Sequence, residues 1–331
     1  MYIRWRVRRA ACGPLAIAFA IFVPAATSAA AGAPPRPVGA AGHTVQLVAR
    51  GIASPTQIAV VHGHVFVAAA GDEKTGKGGG LWQISNGKAS QVDPTPFYGL
   101  VFTHGRLFAS GNNQIVSAAW ADGALAPPRV IFRRPRARLP YIETMAVGPD
   151  GRLYMGSGDA ADKGAIGAAL SGRIFAINRD GSGFEELAKG LRQPFGIAFV
   201  EGDPAPYVGN ESDEGTSNPP DFLVHAVKGS DFGFPGCQWA SAAAGACAGK
   251  TKPAMLFPPH ASPTGLVGAG STIYAAFFGG TTKQGPELRA LKTDGSSTRL
   301  VKSALPLIGV GIASPWLYFG DISGSIYRVR V

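Results

Sequence analysis

From His43 to the C-terminus, short apolar runs alternate with glycine-led polar turns, and one phrase returns six times. Each copy reads as an apolar strand, a tight glycine turn, a second apolar strand, a variable loop and a third strand ending before a polar turn. The copies are IAVVHGHVFVAAAG with GGLWQIS, YGLVFTHGRLFASG with NQIVSAAW, IETMAVGPDGRLYMGSG with SGRIFAINRDG, FGIAFVEGDPAPYVGNES with DFLVHAV, TGLVGAGSTIYAAFFGG with ELRALKTDG, and VGIASPWLYFGD with GSIYRVRV. Runs that are small or apolar at consecutive positions belong to strands buried on both faces. A repeat of roughly 35 to 50 residues built from such strands has the period of propeller blades, and no helix is needed. The pattern predicts an all-β fold, a six-bladed β-propeller over residues 43–331.

Ring closure has its own signal. The strand-like run HTVQLVAR (43–50) has no blade of its own, while the chain ends on the strand IYRVRV. Pairing this N-terminal strand into the last blade shuts the ring and leaves few exposed edges. The Pro/Gly/Ala stretch 32–42 is expected as a flexible linker. PPRVIFRRPRARLP (127–140) is expected as a basic, solvated crossing between blades.

Composition agrees: 46 Gly and 26 Pro against 16% charged residues favour many turns and few long amphipathic helices. The net charge of +10 includes Arg4, Arg6, Arg8 and Arg9, and falls to +6 without them. No Lys/Arg-rich helix or aromatic-interleaved basic run points to nucleic acid as a partner. Those arginines, the apolar run Leu15 to Val23 and the small residues Ala25 to Ala31 have the form of a signal peptide, 1–31. Pro14 and Pro24 keep the apolar run short of the ~20 residues that cross a bilayer. A periplasmic or secreted mature chain without a membrane span is therefore expected. It would carry two cysteines, Cys237 and Cys247, whose close, even spacing in an oxidising compartment reads as a disulfide.

In a propeller, chemistry is expected where loops from several blades converge on the channel mouth, so candidates are distributed along the chain. Arg192, just ahead of Pro194 at the start of the fourth copy, either meets an anionic ligand with its rigid fork of donors or pairs with the NESDE loop (210–214). Gln193 is a neighbouring hydrogen-bond donor. Glu211, Ser212, Asp213 and Glu214 make an oxygen-rich loop of the kind hard cations take, without EF-hand spacing. His260, in FPPHASPTG, either contacts a ligand or shuttles a proton, or is pinned structurally between prolines. Tyr141 and Glu143 precede the third copy's first strand. His62, His64, His104 and His225 fall in turns or alternating strand positions. No G-x-S-x-G elbow, H-E-x-x-H or phosphate-cradling glycine loop is present, which argues against hydrolase and nucleotide-binding readings.

The phrases GLRQPFG, PPDFL, FGFPGC, PPHASPTG, GPDGRLY and GSIYRVRV together resemble the glucose/sorbosone dehydrogenase-like six-bladed propellers. That resemblance implies an exported oxidoreductase holding pyrroloquinoline quinone (PQQ) over calcium in the channel mouth. Such an enzyme would oxidise a sugar or related alcohol or aldehyde. It places Arg192 and Gln193 against the quinone, Ser212 and Asp213 at the calcium, and His260 in the cofactor wall, with Glu143 or His260 as base. Where the family has its catalytic His this chain has Pro140, which cannot abstract a proton, and the cations expected near Leu305 to Val310 are apolar. The alternative is therefore a catalytically degenerate propeller of the same family that binds a small sugar-like molecule or a protein.

Overall fold

The computed structural model describes residues 34–72, 75–111, 114–133, 142–158, 168–212, 218–239, 246–279 and 283–331. Among them the regular structure is all β, arranged as six antiparallel sheets. Blade 1 runs outward through Pro55–Val61, His64–Ala69, Gly80–Ser85 and Lys88–Asp93. Blade 3 uses Met145–Val147, Leu153–Ser157, Arg173–Ile177 and Glu185–Ala188, and blade 4 uses Gln193–Ala198, Tyr207–Glu211, Asp221–His225 and Met255–Phe257. Blade 2 begins with Phe97–Thr103, Arg106–Gly111 and Gln114–Ala121; two pieces, Ala124–Leu125 and Arg129–Arg133, share its outer edge. Blade 5 is Pro263–Ala269, Thr272–Phe277, Glu287–Lys292 and Ser297–Lys302. Blade 6 takes Leu307–Ala313, Trp316–Asp321 and Ile326–Arg330 from the C-terminus and its outermost strand, Gln46–Ala49, from the N-terminal run. The ring is closed by that pairing, as the sequence predicts.

Two stretches differ from expectation. Within the segment read as a linker, Val38 and Gly39 pair with Lys302 and Val301 and cover the outer edge of blade 5. Within the segment read as a solvated crossing, Arg129–Arg133 is a strand paired with 114–117. There a register shift between Val130 and Phe132 accompanies the packing of both Ile131 and Phe132 against the seam between blades 2 and 3, and the arginines mask a half-buried edge strand. The stretch 1–31 lies outside the described residues.

The core is six seams rather than one centre. Each seam joins two neighbouring blades: Phe66, Ala68 and Leu81 meet Phe97, Leu100 and Leu107, and Ile174 and Tyr154 meet Ile197, Val208 and Phe222. The last seam, Tyr318 and Ile326 of blade 6 against Ile52, Ile58 and Val67 of blade 1, seals the closure. Fully burying one such side chain is worth about 1.5–3 kcal/mol.

Toward the axis the blades approach backbone to backbone. A Cβ on Gly311 of blade 6 would collide with the Ile58 carbonyl of blade 1, and one on Gly265 of blade 5 with the Ile308 carbonyl of blade 6. Threonine hydroxyls stitch the same contacts: Thr56 donates to Phe97 O of the next blade at 3.2 Å, Thr264 to Leu307 O at 3.0 Å, and Thr144 to Phe195 O. In five blades the pairing of the innermost strand slips near its start, as between Pro55 and Gln57 or Pro194 and Ile197. Such bulges re-aim side chains. Gln57 uses its bulge to span three blades: its Oε1 accepts from Leu100 N at 2.8 Å and Met145 N at 3.0 Å, and its Nε2 donates to Met145 O.

Because space at the axis is set by missing side chains, Gly311→Ala is expected to lower unfolding free energy by about 1–3 kcal/mol through overpacking. Denaturant unfolding of the variant beside the native protein measures it.

Candidate functional site

The channel has two ends. Tyr98 of blade 2 and Phe195 of blade 4, both buried, pack together with Ala70 of blade 1. On the hairpin side of Gln57, all six inner strands line a cavity of about 280 Å3 whose walls include Val60, Phe102, Val147, Phe199, Val267 and Ile312. The opposite end, where the inner strands begin, gathers polar residues of blades 3, 4 and 5.

Glu143, Arg192 and Glu211 are 0%, 6% and 8% exposed. Arg192 Nη1 lies 3.3 Å from Glu211 Oε2, so the guanidinium pairs with the NESDE loop, one of its two expected fates. Glu211 Oε1 also accepts the Ser262 hydroxyl of blade 5 at 3.2 Å. Asn210, on the second strand of blade 4, fixes the turn that presents Arg192 and Gln193: its Oδ1 accepts both of their backbone N–H groups, at 3.0 and 3.1 Å. Asp221 ties blade 4 to blade 5, accepting Ser212 N and Ser262 N, each at 2.7 Å. The Ser212 hydroxyl donates to Pro220 O at 2.6 Å.

Gln193 sits between buried and exposed layers. Its Nε2 donates to Glu143 Oε1 at 2.7 Å, and its Oε1 occupies space that a side chain on Gly158 would take. Glu143 is thus covered completely and reaches blade 4 rather than open channel. His260, half-buried with left-handed φ of 59°, contacts Asn218 Oδ1 through Nε2 at 2.6 Å. A carbonyl oxygen only accepts, so Nε2 carries the proton there. Cys237 and Cys247 form the disulfide, with Cα atoms 4.9 Å apart.

Of the residues singled out in the sequence, Glu143, Arg192, Gln193 and Ser212 belong to one hydrogen-bonded assembly, and His260 stands on the loop leading into it. Asp213, Glu214, Pro140 and Tyr141 lie outside the described residues. Asn210, Asp221 and Ser262 were not singled out. The repeated ASPT at 53–56 and 261–264 is the signal that could have found Ser262, since both serines take the same left-handed turn, φ 50° and 48°.

PQQ and calcium are the groups that the resemblance implies. A quinone with three carboxylates needs several cations, whereas Arg192 is the one buried cation among the described site residues and is committed to Glu211. Among the described residues no three His, Cys, Asp or Glu side chains converge as metal ligands. The described set does not fit the quinone.

Comparison with known proteins places the fold. A calcium structure of a Trichoderma reesei carbohydrate-active enzyme of family AA12 superposes with TM-score 0.73 at 17% identity, over 89% of this chain and 97% of that one. The holo form of the pyranose dehydrogenase PQQ domain from Coprinopsis cinerea gives 0.70 at 15% identity, over 90% and 98%. The PQQ-bound aldose sugar dehydrogenase from Streptomyces coelicolor gives 0.66 at 17%, over 88% and 99%. The chain has the six-bladed fold of soluble PQQ-dependent sugar dehydrogenases. No family model matches it, and no curated protein matches it in sequence.

Arg192→Ala strips Glu211 of its guanidinium in a buried site, and the expected loss is about 3–5 kcal/mol of folding stability. Pairing Arg192→Met with Glu211→Gln should recover more than half of it. A double-mutant cycle in denaturant decides; additive losses would contradict the coupling.

Proposed function

We propose that this chain is an exported propeller whose mouth recognises a small, neutral, polyhydroxylated ligand of the sugar or polyol class. The observation that carries this reading is the layering of the site. Among the described residues, Glu143, Arg192 and Glu211 are buried, Arg192 paired with Glu211 and Glu143 accepting from Gln193, while the groups nearer solvent there are the Gln193 amide, Asn218 and the His260 imidazole. Amides and imidazole exchange hydrogen bonds with hydroxyl groups without demanding a charge in return. A neutral sugar leaves the Arg192–Glu211 pair intact, whereas an anionic quinone competes with Glu211 for it. Export is supported by the arginine-led apolar start of the chain. No helix among the described residues is long and apolar enough to cross a membrane.

A second reading is the PQQ- and calcium-dependent dehydrogenase of a sugar or related alcohol. Its support is the fold, whose solved neighbours include PQQ-bound and calcium-bound proteins. The oxygen-rich turn at Ser212 and Asp221 supports it too. In that reading Arg192 and Gln193 hold the quinone, Ser212 and Asp213 the metal, and Glu143 or His260 takes the substrate proton in place of Pro140.

One titration separates the two. The mature protein is mixed with PQQ and calcium, followed by quinone absorbance and by dye-linked oxidation of an aldose panel, with Arg192→Ala alongside. Recognition without redox chemistry predicts no calcium-dependent binding at high micromolar quinone and no turnover. Tight calcium-dependent binding that Arg192→Ala abolishes, with turnover, would replace it by the dehydrogenase reading.

A further inference from the structure

A second concavity opens between blades 3 and 4, beside the strand that carries Gln193. It has a volume of about 210 Å3 and is lined by Ser171, Arg173, Lys189, Leu191, Asp231 and Lys250, among others. Its lining holds three cationic side chains to one carboxylate. Asp231 is already spent: Oδ2 takes the Lys250 ammonium at 2.9 Å and Oδ1 takes Gly233 N at 3.0 Å. Burial opposes its ionisation, but those two donors prevail and hold the carboxyl below its ordinary range. Arg173 gives Nη1 to Glu186 at 2.5 Å on the exposed side, yet its Nε–H is buried with no acceptor among the described residues. Ser171, 3% exposed, accepts Ala168 N at 3.1 Å, which leaves its hydroxyl proton to donate. Lys189 is exposed and makes no salt bridge among the described residues, acting on Asp231 only through space.

A concave lining with an excess of positive charge and an ammonium free of salt bridges among the described residues concentrates anions. The walls are fixed in place. Lys189 and Gly190 accept from the backbone N–H groups of Phe232 and Phe234. The turn beyond them leads into Cys237, whose bridge to Cys247 brings in the stretch that bears Lys250. The volume is below the ~300–1,000 Å3 of sites that enclose drug-sized ligands, which suits one charged group and its immediate attachment.

We propose that this pocket is an anion subsite, drawing the carboxylate or phosphate of a small ligand to the Arg173 guanidinium, the Ser171 hydroxyl and the Lys189 ammonium that line it. It stands on different residues from the mouth and does not depend on what the mouth binds.

The test is calorimetric titration of the mature protein with inorganic phosphate, glucuronate and glucose at low ionic strength. It is run on the native chain, Lys189→Gln, Arg173→Gln and, as a charge control, Lys88→Gln on the outer strand of blade 1. The expected result is binding of phosphate, glucuronate or both that weakens about tenfold or more in Lys189→Gln and is unchanged in Lys88→Gln. Whichever of the two binds more tightly names the source of the anion. Glucose binding, by contrast, should not respond to Lys189→Gln, so failure at the mouth and failure here read out separately. Anion affinity that is absent, or that falls equally in Lys88→Gln and Lys189→Gln, overturns the proposal. Lys189 is exposed, so its substitution leaves the fold intact even if Arg173→Gln does not.

Discussion

Everything in this molecule depends on how closely six innermost strands can approach a common axis. Side chains would hold them apart, so the chain places glycine where one blade meets the carbonyls of the next, as at Gly265 and Gly311. Threonine hydroxyls bridge from blade to blade at Thr56, Thr144 and Thr264. Near the axis Tyr98 and Phe195 pack together, and Gln57 bonds across to two other blades. The apolar seams then supply most of the burial, one for each pair of neighbouring blades, and the Gln46–Ala49 strand makes the last of them continuous.

Crowding at the axis decides what the mouth can be. Polar residues of blades 3, 4 and 5 at that end lie too close together for each to be solvated, and buried charge must be paired. The outcome is an inner layer of Arg192 with Glu211 and of Glu143 under Gln193, and an outer layer of amide and imidazole. The PQQ-bound structures that share this fold show that the architecture hosts a redox cofactor elsewhere. In this chain the described mouth has spent its positive charge on its own carboxylate.

The architecture was legible because its signals are local. Histidine–glycine and aspartate–glycine turns between apolar runs mark the hairpins, and both His62–Gly63 and His104–Gly105 take the left-handed pair that such turns require. The spare strand at 43–50 announced the closure. The site was less legible because its bonds are long-range. Gln57 answers to Met145, 88 residues away, and Asp221 to Ser262, 41 residues away, and no local pattern encodes which residue of one blade faces which of the next. Arg192 stood out by its motif, yet its partner had to be seen. The arginines around 129–133 read as a solvated run because charge outweighed the short apolar core Val130 to Phe132 between them. Val38 and Gly39 form a strand too short to carry any period.

The most direct measurement is a crystal structure of the native protein grown with PQQ, calcium and a neutral aldose together in the drop. The account predicts density for the sugar at the mouth, hydrogen-bonded to the Gln193 amide, with Arg192 still on Glu211 and no quinone bound. Quinone in the mouth, with Arg192 turned from Glu211 onto its carboxylates and calcium on Ser212, would contradict it.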